Sequence, residues 1–441
     1  MIDAIWPRTA ERTADGALVV GGCDVRDLAA TYGTPLFVLD EADVRQRAAE
    51  YKDAYGDDDQ PFDVFYASKA FLSVAIARWM HDAGLGIDVA SGGELAVALR
   101  AGVPGDRIVM HGNNKSVEEI ETALRAHVHM LVSDSLDELA RIDEVAGRLG
   151  VIAPIVLRLT VGVEAHTHEA ISTAHEDQKF GLSISSGAAV EAVEFALAAP
   201  NLELHGFHSH IGSQIFDADG FEIAAHRMVG FIASIKQTHD VVTRVLDLGG
   251  GMGVPYVEGD DPLDVREMAQ RLREIVVNEC AAADIAVPRL SVEPGRAIVG
   301  SSTITLYEVG VVKPVQVTDD FVRQYVAVDG GMSDNIRTAL YDAEYTAALA
   351  NRVSGATPVP SRVVGKHCES GDIVVRDIDL PNDISTGDLL AVATTGAYGR
   401  AMASNYNNLP RPAVVAVRDG QARVLIRRET YDDLLRLDAD A

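Results

Sequence analysis

Between residues 36 and 295, short apolar runs alternate with longer segments whose apolar residues recur three and four positions apart. Runs rich in β-branched and aromatic residues predict strands, and the intervening period predicts helices that pack on a sheet. The eight runs cover residues 64–68, 86–90, 107–110, 129–133, 155–159, 204–209, 244–249 and 289–293. Eight successive strand and helix units favour an α/β fold, a closed parallel (β/α)8 TIM barrel of about 250 residues.

The sequence pattern changes after residue 300. Segments such as TITLYEVGVVKPV and PAVVAVRDGQARVLIR alternate apolar and polar residues, which predicts a second, mainly β domain. The N-terminal residues contain one short strand candidate, ALVVGG, and a lone strand is not stable, so we expect it to pair with that domain. The predicted parts are an N-terminal segment over 1–35, a barrel over 36–295 and a C-terminal β domain over 296–441.

Composition and charge exclude several classes of protein. The 441 residues carry a formal net charge of −28, which disfavours nucleic acid and anionic membranes as partners. The first twenty residues lack a basic start followed by an apolar core, and no apolar stretch is long enough to span a bilayer. The three cysteines, Cys23, Cys280 and Cys368, are too scattered for a disulfide framework or a zinc site. We therefore expect a cytoplasmic protein without a metal ion.

Lys69 ends the first apolar run of the predicted barrel, in the segment DVFYASKAF. The active site of a barrel lies at the carboxyl ends of its strands, and a lysine that is desolvated there can form a Schiff base. An isolated lysine at a strand end is more often a plain surface residue. Its chemical meaning depends on the other residues at the same rim.

The segments after the sixth and seventh predicted strands carry ligand-binding features. In HSHIGSQ, His210 can stack on a flat ring and Ser213 can donate a hydrogen bond to a phosphate. In DLGGGMG, Gly250 and Gly251 free the backbone for close approach, so that its amides can surround a phosphate. A lone histidine is more often structural and a glycine run is more often a turn, so neither segment is specific alone.

The eighth predicted strand runs into EPGR, which places Glu293, Gly295 and Arg296 at the rim. An arginine offers a bidentate fork to phosphate or carboxylate. A lysine, a phosphate loop and a carboxylate at one rim match the needs of pyridoxal 5'-phosphate, whose ring nitrogen requires a protein partner. We expect Glu293 to be that partner, because a carboxylate keeps the nitrogen protonated.

Five motifs, YASKA, HIGSQ, GGG, EPGR and CESGD, occur in this order along the chain. Their order and spacing resemble the pyridoxal phosphate-dependent decarboxylases of the alanine racemase fold (fold type III), and among these the diaminopimelate decarboxylases. The resemblance extends from Phe37 to Tyr406 and implies an alanine racemase-like C-terminal domain. It implies decarboxylation of meso-2,6-diaminopimelate to L-lysine and carbon dioxide, the last step of lysine biosynthesis by the diaminopimelate pathway. One departure is Arg158-Leu159-Thr160-Val161, where many relatives have Arg-x-Asn-Pro.

The resemblance also implies roles for individual residues. The cofactor-binding set is Lys69, His210, Ser213, Gly250, Gly251, Glu293, Gly295, Arg296 and Tyr398. The substrate-binding set is Arg296, Arg337, Tyr341, Glu369 and Tyr398. Lys69 and Cys368 are the implied catalytic residues, with Cys368 reaching across a homodimer interface to protonate the carbanion. Taken alone, Cys368 could be a buried small hydrophobe, which is the usual fate of a free cysteine.

Alternative functions differ in the chemistry that they demand. Decarboxylation of ornithine or arginine needs no distal carboxylate, and ornithine decarboxylases typically have aspartate where this chain has Glu369. A racemase of this fold has an arginine in place of Glu293. A cofactor-binding regulator would not need Lys69, Cys368 and Arg296 together, and a dinucleotide-binding protein would need a spaced G-x-G-x-x-G. Residues 161–181 are a candidate mobile lid.

Overall fold

The computed structural model describes residues 4–56, 62–162, 179–262 and 264–440. The chain forms two compact units, each assembled from separate stretches of sequence. We call them the barrel unit, which comprises Arg47–Gly253 and Pro262–Arg296, and the β unit, which comprises Met1–Gln46, Val254–Asp261 and Ala297–Ala441.

The strands of the described residues range from two to sixteen residues in length. In chain order they are β1 (Glu11–Arg12), β2 (Leu18–Val20), β3 (Cys23–Asp24), β4 (Leu36–Asp40), β5 (Phe62–Ala67), β6 (Gly86–Val89), β7 (Ile108–Met110), β8 (Met130–Ser133), β9 (Ala153–Thr160), β10 (Leu182–Ser183), β11 (Leu202–His208), β12 (Val245–Asp247), β13 (Arg289–Val292), β14 (Thr303–Thr318), β15 (Phe321–Val328), β16 (Ala347–Leu349), β17 (Pro358–Val364), β18 (Ile373–Pro381), β19 (Leu389–Val392), β20 (Ala413–Arg418) and β21 (Gln421–Ile426).

Most helices of the described residues follow barrel strands. In chain order they are α1 (Val25–Tyr32), α2 (Glu41–Tyr55), α3 (Val74–Asp82), α4 (Gly92–Arg100), α5 (Val117–Arg125), α6 (Leu136–Leu149), α7 (Ala188–Ala198), α8 (Asp219–His239), α9 (Val265–Ala282), α10 (Arg296–Val299), α11 (Arg337–Tyr341) and α12 (Tyr431–Leu435).

Eight parallel strands of the barrel unit close into a ring, which contains β5, β6, β7, β8, β9, β11, β12 and β13 in that order. Strand β13 pairs with β5 and so completes the ring. Each run predicted from the sequence overlaps one of these strands, so the predicted barrel is confirmed. Buried side chains such as Phe65, Val109 and Val156 pack together as a core cluster. Because all the strands are parallel, their carboxyl ends meet at one rim.

Serine caps fix where four successive barrel helices begin. The side chains of Ser73, Ser91, Ser116 and Ser135 each accept a hydrogen bond from an amide in the first turn of α3, α4, α5 and α6, at distances of 3.1–3.3 Å. Such a cap satisfies an amide that has no partner within the helix. Each chain segment therefore turns from strand to helix within a few residues of the rim.

The β unit has a large mixed sheet with the strand order β18-β17-β15-β14-β4-β20-β21, to which β19 and β16 are attached through β14. The predicted second, mainly β part of the fold is confirmed. Strands β1, β2 and β3 form a separate three-stranded sheet. Leu18 and Val20 of β2 pack in one core cluster with Val38, Ile304 and Val415.

The N-terminal strand that joins the large sheet is β4, which lies between β14 and β20. From the sequence, residue 36 marks the start of the barrel, and ALVVGG is the strand expected to pair with the β domain. In the structure, that run forms β2 and pairs with β1 and β3. All five residues of β4, LFVLD, are buried, and the run is mainly apolar, as in a barrel strand. The local sequence therefore does not indicate that this strand belongs to another sheet.

Among the helices of the described residues, none combines the length and the apolar character that a membrane span requires.

Candidate active site

The turn that carries Lys69 follows directly on β5. Residues Ser68–Ala70 form one turn of 3-10 helix, and the hydroxyl of Tyr66 donates to the carbonyl of Phe71 at 2.5 Å, which closes the turn. The side chain of Lys69 is exposed. The desolvation that its strand-end position suggested is therefore not found, and the amine is accessible at the rim.

The loop after β12 forms a cradle in which a side chain would not fit. A Cβ atom on Gly250 would lie 2.2 Å from the carbonyl oxygen of Glu293, and one on Gly251 would lie 2.4 Å from that of Gly212. Gly251 also has a φ of +111°, which residues with a side chain rarely adopt. Oδ1 of Asp247 accepts from the Gly249 amide at 2.7 Å. In the described residues the amides of Gly250 and Gly251 have no acceptor, which suits them to an anionic group.

Two more of the sequence-predicted residues meet beside this cradle. Nη2 of Arg296 donates to Oγ of Ser213 at 2.8 Å, which joins the segment after β13 to the segment after β11. Gly295 lies against the turn of Lys69, since a Cβ atom there would lie 2.9 Å from the carbonyl oxygen of Ala67 and 3.0 Å from Cβ of Ala70. The rim thus brings the lysine turn, the arginine and the glycine loop together.

Glu293 follows β13 and lies between two histidines. Its Oε1 is 2.5 Å from Nε2 of His111, which follows β7, and its Oε2 is 3.3 Å from Nε2 of His208, the last residue of β11. The two imidazole rings are edge to face, with centroids 4.9 Å apart. The three side chains are almost fully buried, with residue exposures of 6%, 7% and 1% for Glu293, His111 and His208.

The two histidines of this cluster carry different charges. Burial lowers the pKa of His208 to about 4, so this imidazole is neutral. Burial would also lower the pKa of His111, but the carboxylates of Asp88 and Glu293 outweigh it and raise that pKa to about 9. For Glu293, burial is likewise outweighed by His111 and His208, and its pKa lies well below the ordinary value. At neutral pH, His111 is therefore an imidazolium and Glu293 is a carboxylate.

Two further acids border the cluster. Burial raises the pKa of Asp88, at the end of β6, to about 7, and Oδ1 of this residue lies 3.8 Å from Nε2 of His111. Burial and the charge of Glu293 raise the pKa of Asp247, at the end of β12, to about 8. Perturbed groups concentrated at one rim are typical of an active site.

His210 lies within the electrostatic influence of both Lys69 and Arg158. Burial, followed by the positive charges of Lys69 and Arg158, holds the pKa of His210 well below its ordinary value, so the ring is neutral and suited to stacking. Arg158 lies over the ring of Phe180 at 4.4 Å, and burial lowers its pKa. In the segment that departs from Arg-x-Asn-Pro, the hydroxyl of Thr160 donates to the Phe180 carbonyl at 2.8 Å.

The residues of this rim fit pyridoxal phosphate better than a metal ion. Ligand-type atoms of His111, His208 and Glu293 lie within 4.8 Å of one another, a spacing that could hold a cation. The carboxylate of Glu293 already has a histidine against each oxygen, Nε2 of His111 at Oε1 and Nε2 of His208 at Oε2. The glycine cradle and the buried carboxylate instead match a phosphate and a ring nitrogen.

In the β unit, Arg337 begins α11 and is 6% exposed. Its Nη1 donates to the hydroxyl of Tyr345 at 2.6 Å, and its guanidinium lies 4.9 Å from the ring centre of Tyr256. No carboxylate pairs with it in the part of the chain that the structure describes. A buried guanidinium without a counter-ion is costly, and it is therefore suited to binding an anionic ligand.

Cys368 and Glu369 lie at the exposed tip of the loop between β17 and β18. The base of this loop is fixed, because Oδ2 of Asp372 accepts from the His367 amide at 2.8 Å and the His367 ring contacts Oγ of Ser333 at 2.9 Å. Cys23 and Cys280, in contrast, are buried. Of the three cysteines, Cys368 is therefore the one whose thiol is accessible to a ligand or to a second protein chain.

The two predicted tyrosines are also in the β unit. Tyr341 is the last residue of α11 and is half-buried. Tyr398, in the segment after β19, has a φ of 63°, an unfavourable conformation for a bulky residue. Such backbone strain is common where a side chain must be aimed at a ligand. Residues 163–178 of the candidate lid lie outside the described residues.

Sequence reasoning missed Asp88, His111, His208 and Asp247. Each lies at or just after the carboxyl end of a predicted strand, in GIDVA, RIVMH, LHGFH and RVLDL. A polar residue that interrupts the end of an apolar run was the available signal. It was not decisive, because isolated polar residues at strand ends are common.

Comparison with known proteins identifies the family. Residues 41–300 match the family described as "Pyridoxal-dependent decarboxylase, pyridoxal binding domain". The diaminopimelate decarboxylase of Mycobacterium leprae (strain TN) is 55% identical over 438 residues, which cover 98% of this chain and 92% of that protein. The diaminopimelate decarboxylase of Mycobacterium tuberculosis (strain ATCC 25618 / H37Rv) is 54% identical over 440 residues, with coverages of 98% and 97%.

Solved structures agree with the sequence relatives. The crystal structure of diaminopimelate decarboxylase from M. jannaschii in co-complex with L-lysine matches with a TM-score of 0.90 and 33% identity, and covers 98% of both chains. The resemblance inferred from the five motifs is confirmed. The chain belongs to the diaminopimelate decarboxylase family of pyridoxal-dependent decarboxylases.

Proposed function

We propose that this protein removes one carboxyl group of meso-2,6-diaminopimelate as carbon dioxide and releases L-lysine, the last step of lysine biosynthesis by the diaminopimelate pathway. The near full-length identity to diaminopimelate decarboxylases supports this assignment. Within this chain, the main support for the assignment is Arg337, which is buried and lacks a carboxylate partner in the described residues. A substrate with a second carboxylate supplies the anion that this guanidinium needs.

The cofactor is pyridoxal 5'-phosphate, which when bound withdraws electrons from the substrate carbon that loses its carboxylate. We assign its attachment to the accessible amine of Lys69, and its phosphate to the amides of Gly250 and Gly251 with Ser213 and Arg296. The neutral ring of His210 would stack on the cofactor. Gly295 gives close approach beside Lys69, and Tyr398 completes the set from the β unit.

Glu293 is assigned to the ring nitrogen of the cofactor. Its pKa lies well below the ordinary value, so it is ionised at neutral pH and can hold a proton on that nitrogen. Asp88 and Asp247 have raised pKa values of about 7 and about 8, so they add less negative charge than two ionised acids would. Of these three acids, Glu293 is therefore the one that is fully ionised at neutral pH.

We assign residues to three tasks on the substrate: binding its carboxylates, binding its distal ammonium and donating a proton. Arg337 and Arg296 bind carboxylates by charge-assisted hydrogen bonds, with Tyr341 as a neutral donor. Glu369 binds the distal ammonium. Cys368 delivers the proton to the carbon that has lost its carboxylate. We assign Cys368 and Glu369 to the site of a second copy of the chain, because both lie exposed at the tip of a loop with a fixed base.

This assignment makes the active unit a homodimer with sites shared between copies. We retain the domain organisation inferred from the sequence as a proposal: an N-terminal segment, a barrel that binds the cofactor, and a C-terminal β domain that carries substrate and interface residues. A cytoplasmic location is also proposed. An exposed Cys368 that must stay a free thiol suits a reducing compartment.

The test is turnover by purified protein loaded with pyridoxal phosphate. Carbon dioxide and lysine are followed with meso-diaminopimelate, and ornithine and arginine are run in parallel. We expect lysine from diaminopimelate and no product from the other two. Turnover of ornithine or arginine instead would refute the substrate, and absence of all turnover with the cofactor bound would favour a regulator. Lys69→Ala, expected to be inactive and to show no borohydride-trapped cofactor by mass, is the control for attachment.

A further inference from the structure

The proposed function gives no task to His111, although it is buried at the centre of the rim. Its amide donates to the carbonyl of Val89 at 2.7 Å, which fixes the backbone just after β7 to the end of β6. From this position its Nε2 reaches Oε1 of Glu293 at 2.5 Å, across the ends of β6 and β5 in the strand order. Such a contact between residues on separated strands requires both backbones to be held in place.

Glu293 has a different partner on each oxygen. Oε1 faces His111 and Oε2 faces Nε2 of His208 at 3.3 Å. The His208 ring is neutral, since its pKa is about 4, whereas His111 is protonated below about 9. The carboxylate is thus stabilised by one cation in direct contact and by one neutral ring.

The other charged groups around His111 come from five neighbouring segments. Asp88 and Asp247 raise its pKa, as Glu293 does, and the cations Lys69 and Arg158 act on the same cluster through Asp88, His208 and His210. Asp88 is 3.8 Å away from Nε2, further than Glu293. Asp88 therefore contributes charge from a distance, and Glu293 is the carboxylate in direct contact with His111.

A proton between a carboxylate and a pyridine nitrogen lies on the group that is the stronger base. A cation that contacts the carboxylate lowers its basicity more than it lowers that of a nitrogen one hydrogen bond further away. We propose that His111 is a positioning residue that holds Glu293 as an oriented carboxylate and so places the shared proton on the ring nitrogen of the cofactor. This inference rests on the role proposed above for Glu293.

The experiment measures the ring nitrogen directly. Wild-type protein, His111→Gln and His111→Leu are reconstituted with pyridoxal phosphate labelled with ¹⁵N in the ring, and the ¹⁵N chemical shift is recorded across neutral pH. We expect a pyridinium shift in the wild type and movement toward neutral pyridine in His111→Leu. His111→Gln keeps a donor but loses the charge, so its shift should be intermediate. The leucine variant should lose about 10- to 100-fold in kcat with a smaller change in KM.

The matched control is His129→Gln, which changes a half-buried histidine just before β8, at the opposite end of the strands. Its ¹⁵N shift should equal that of the wild type. A pyridinium shift in both His111 variants with the cofactor bound would overturn the inference. If His111→Leu fails to fold, the ¹⁵N shift of His111→Gln alone tests the inference. Failure of the proposed function is recognised separately, because the wild type would then not attach the cofactor or not turn over diaminopimelate.

Discussion

Gly250 packs so tightly against Glu293 that a single methyl group on the glycine would reach within 2.2 Å of the carbonyl oxygen of the glutamate. The loop that we assign to the cofactor phosphate and the strand that carries the ring-nitrogen partner are thus in direct backbone contact. A change in the loop is therefore transmitted to Glu293 by steric displacement.

Gly250→Ala should weaken cofactor binding and destabilise the barrel unit. An added Cβ cannot be relieved by a side-chain rotation, because the atom that it meets is backbone, and overpacking of this kind costs about 1–3 kcal/mol. The free energy of unfolding and the Kd for pyridoxal phosphate are the measurements. Gly230→Ala is the control, since a Cβ there meets nothing within 4 Å. Equal behaviour of the two variants would contradict the steric argument.

Arg337→Met should lower kcat/KM for diaminopimelate by about 10- to 100-fold, the value of a hydrogen bond to a charged group. The loss follows from removing the buried cation that we assign to a substrate carboxylate. Arg376→Met is a suitable control, because Arg376 lies in the same unit and pairs with Asp342 at 2.8 Å. The measurement is steady-state kinetics with diaminopimelate. An unaltered kcat/KM in Arg337→Met would show that Arg337 does not bind the substrate.

Cys368→Ala should leave the cofactor bound and lower turnover by about 10²- to 10⁴-fold, the usual effect of losing a proton donor. Ser370→Ala, at the same loop tip, should be nearly unchanged. If the site is shared, mixing Cys368→Ala with Lys69→Ala chains and allowing exchange should restore about one quarter of wild-type activity, because half of the dimers then hold one intact site. No recovery from mixed chains would contradict a shared site, and full activity of Cys368→Ala with clean product would exclude its role.

The cofactor-free protein should lose stability as pH rises from about 6.5 to 9. His111 has a folded pKa of about 9, and Asp88 and Asp247 have folded values of about 7 and about 8, all above their ordinary values. Each holds a proton in the fold that the unfolded chain has released, so unfolding is favoured as the proton becomes scarce. The His111 contribution is roughly 3 kcal/mol.

Thermal unfolding midpoints at a series of pH values measure this dependence. His111→Gln should flatten the decline between pH about 6.5 and 9, while His129→Gln should leave it as it is. A midpoint that stays constant or rises over this range in the wild type would show that the cluster does not titrate in this way.

The strands of the barrel could be predicted because their signal is local. Runs such as VFYAS and IVLRL are apolar and β-branched along their own length, and the positions of the eight observed strands follow from that. The motif residues at the rim could be proposed because a strand's carboxyl end determines where its following residue lies. Their individual roles remain predictions.

The remaining features depend on pairing across the fold. The contact between His111 and Glu293 joins residues 182 positions apart, and neither neighbourhood in sequence indicates the other. The exposure of Lys69 and the place of β4 in the β unit likewise follow from which surfaces meet, and a run such as LFVLD satisfies either sheet.

The position of β4 between β14 and β20 also bears on how the protein is made. Leu36–Asp40 leaves the ribosome early, whereas its partners at 303–306 and 413–417 are synthesised only after every barrel strand is complete. The large sheet of the β unit therefore cannot close during synthesis of the barrel. A chain released before residue 413 leaves one edge of β4 without its partner strand, which makes premature termination products candidates for aggregation through that edge.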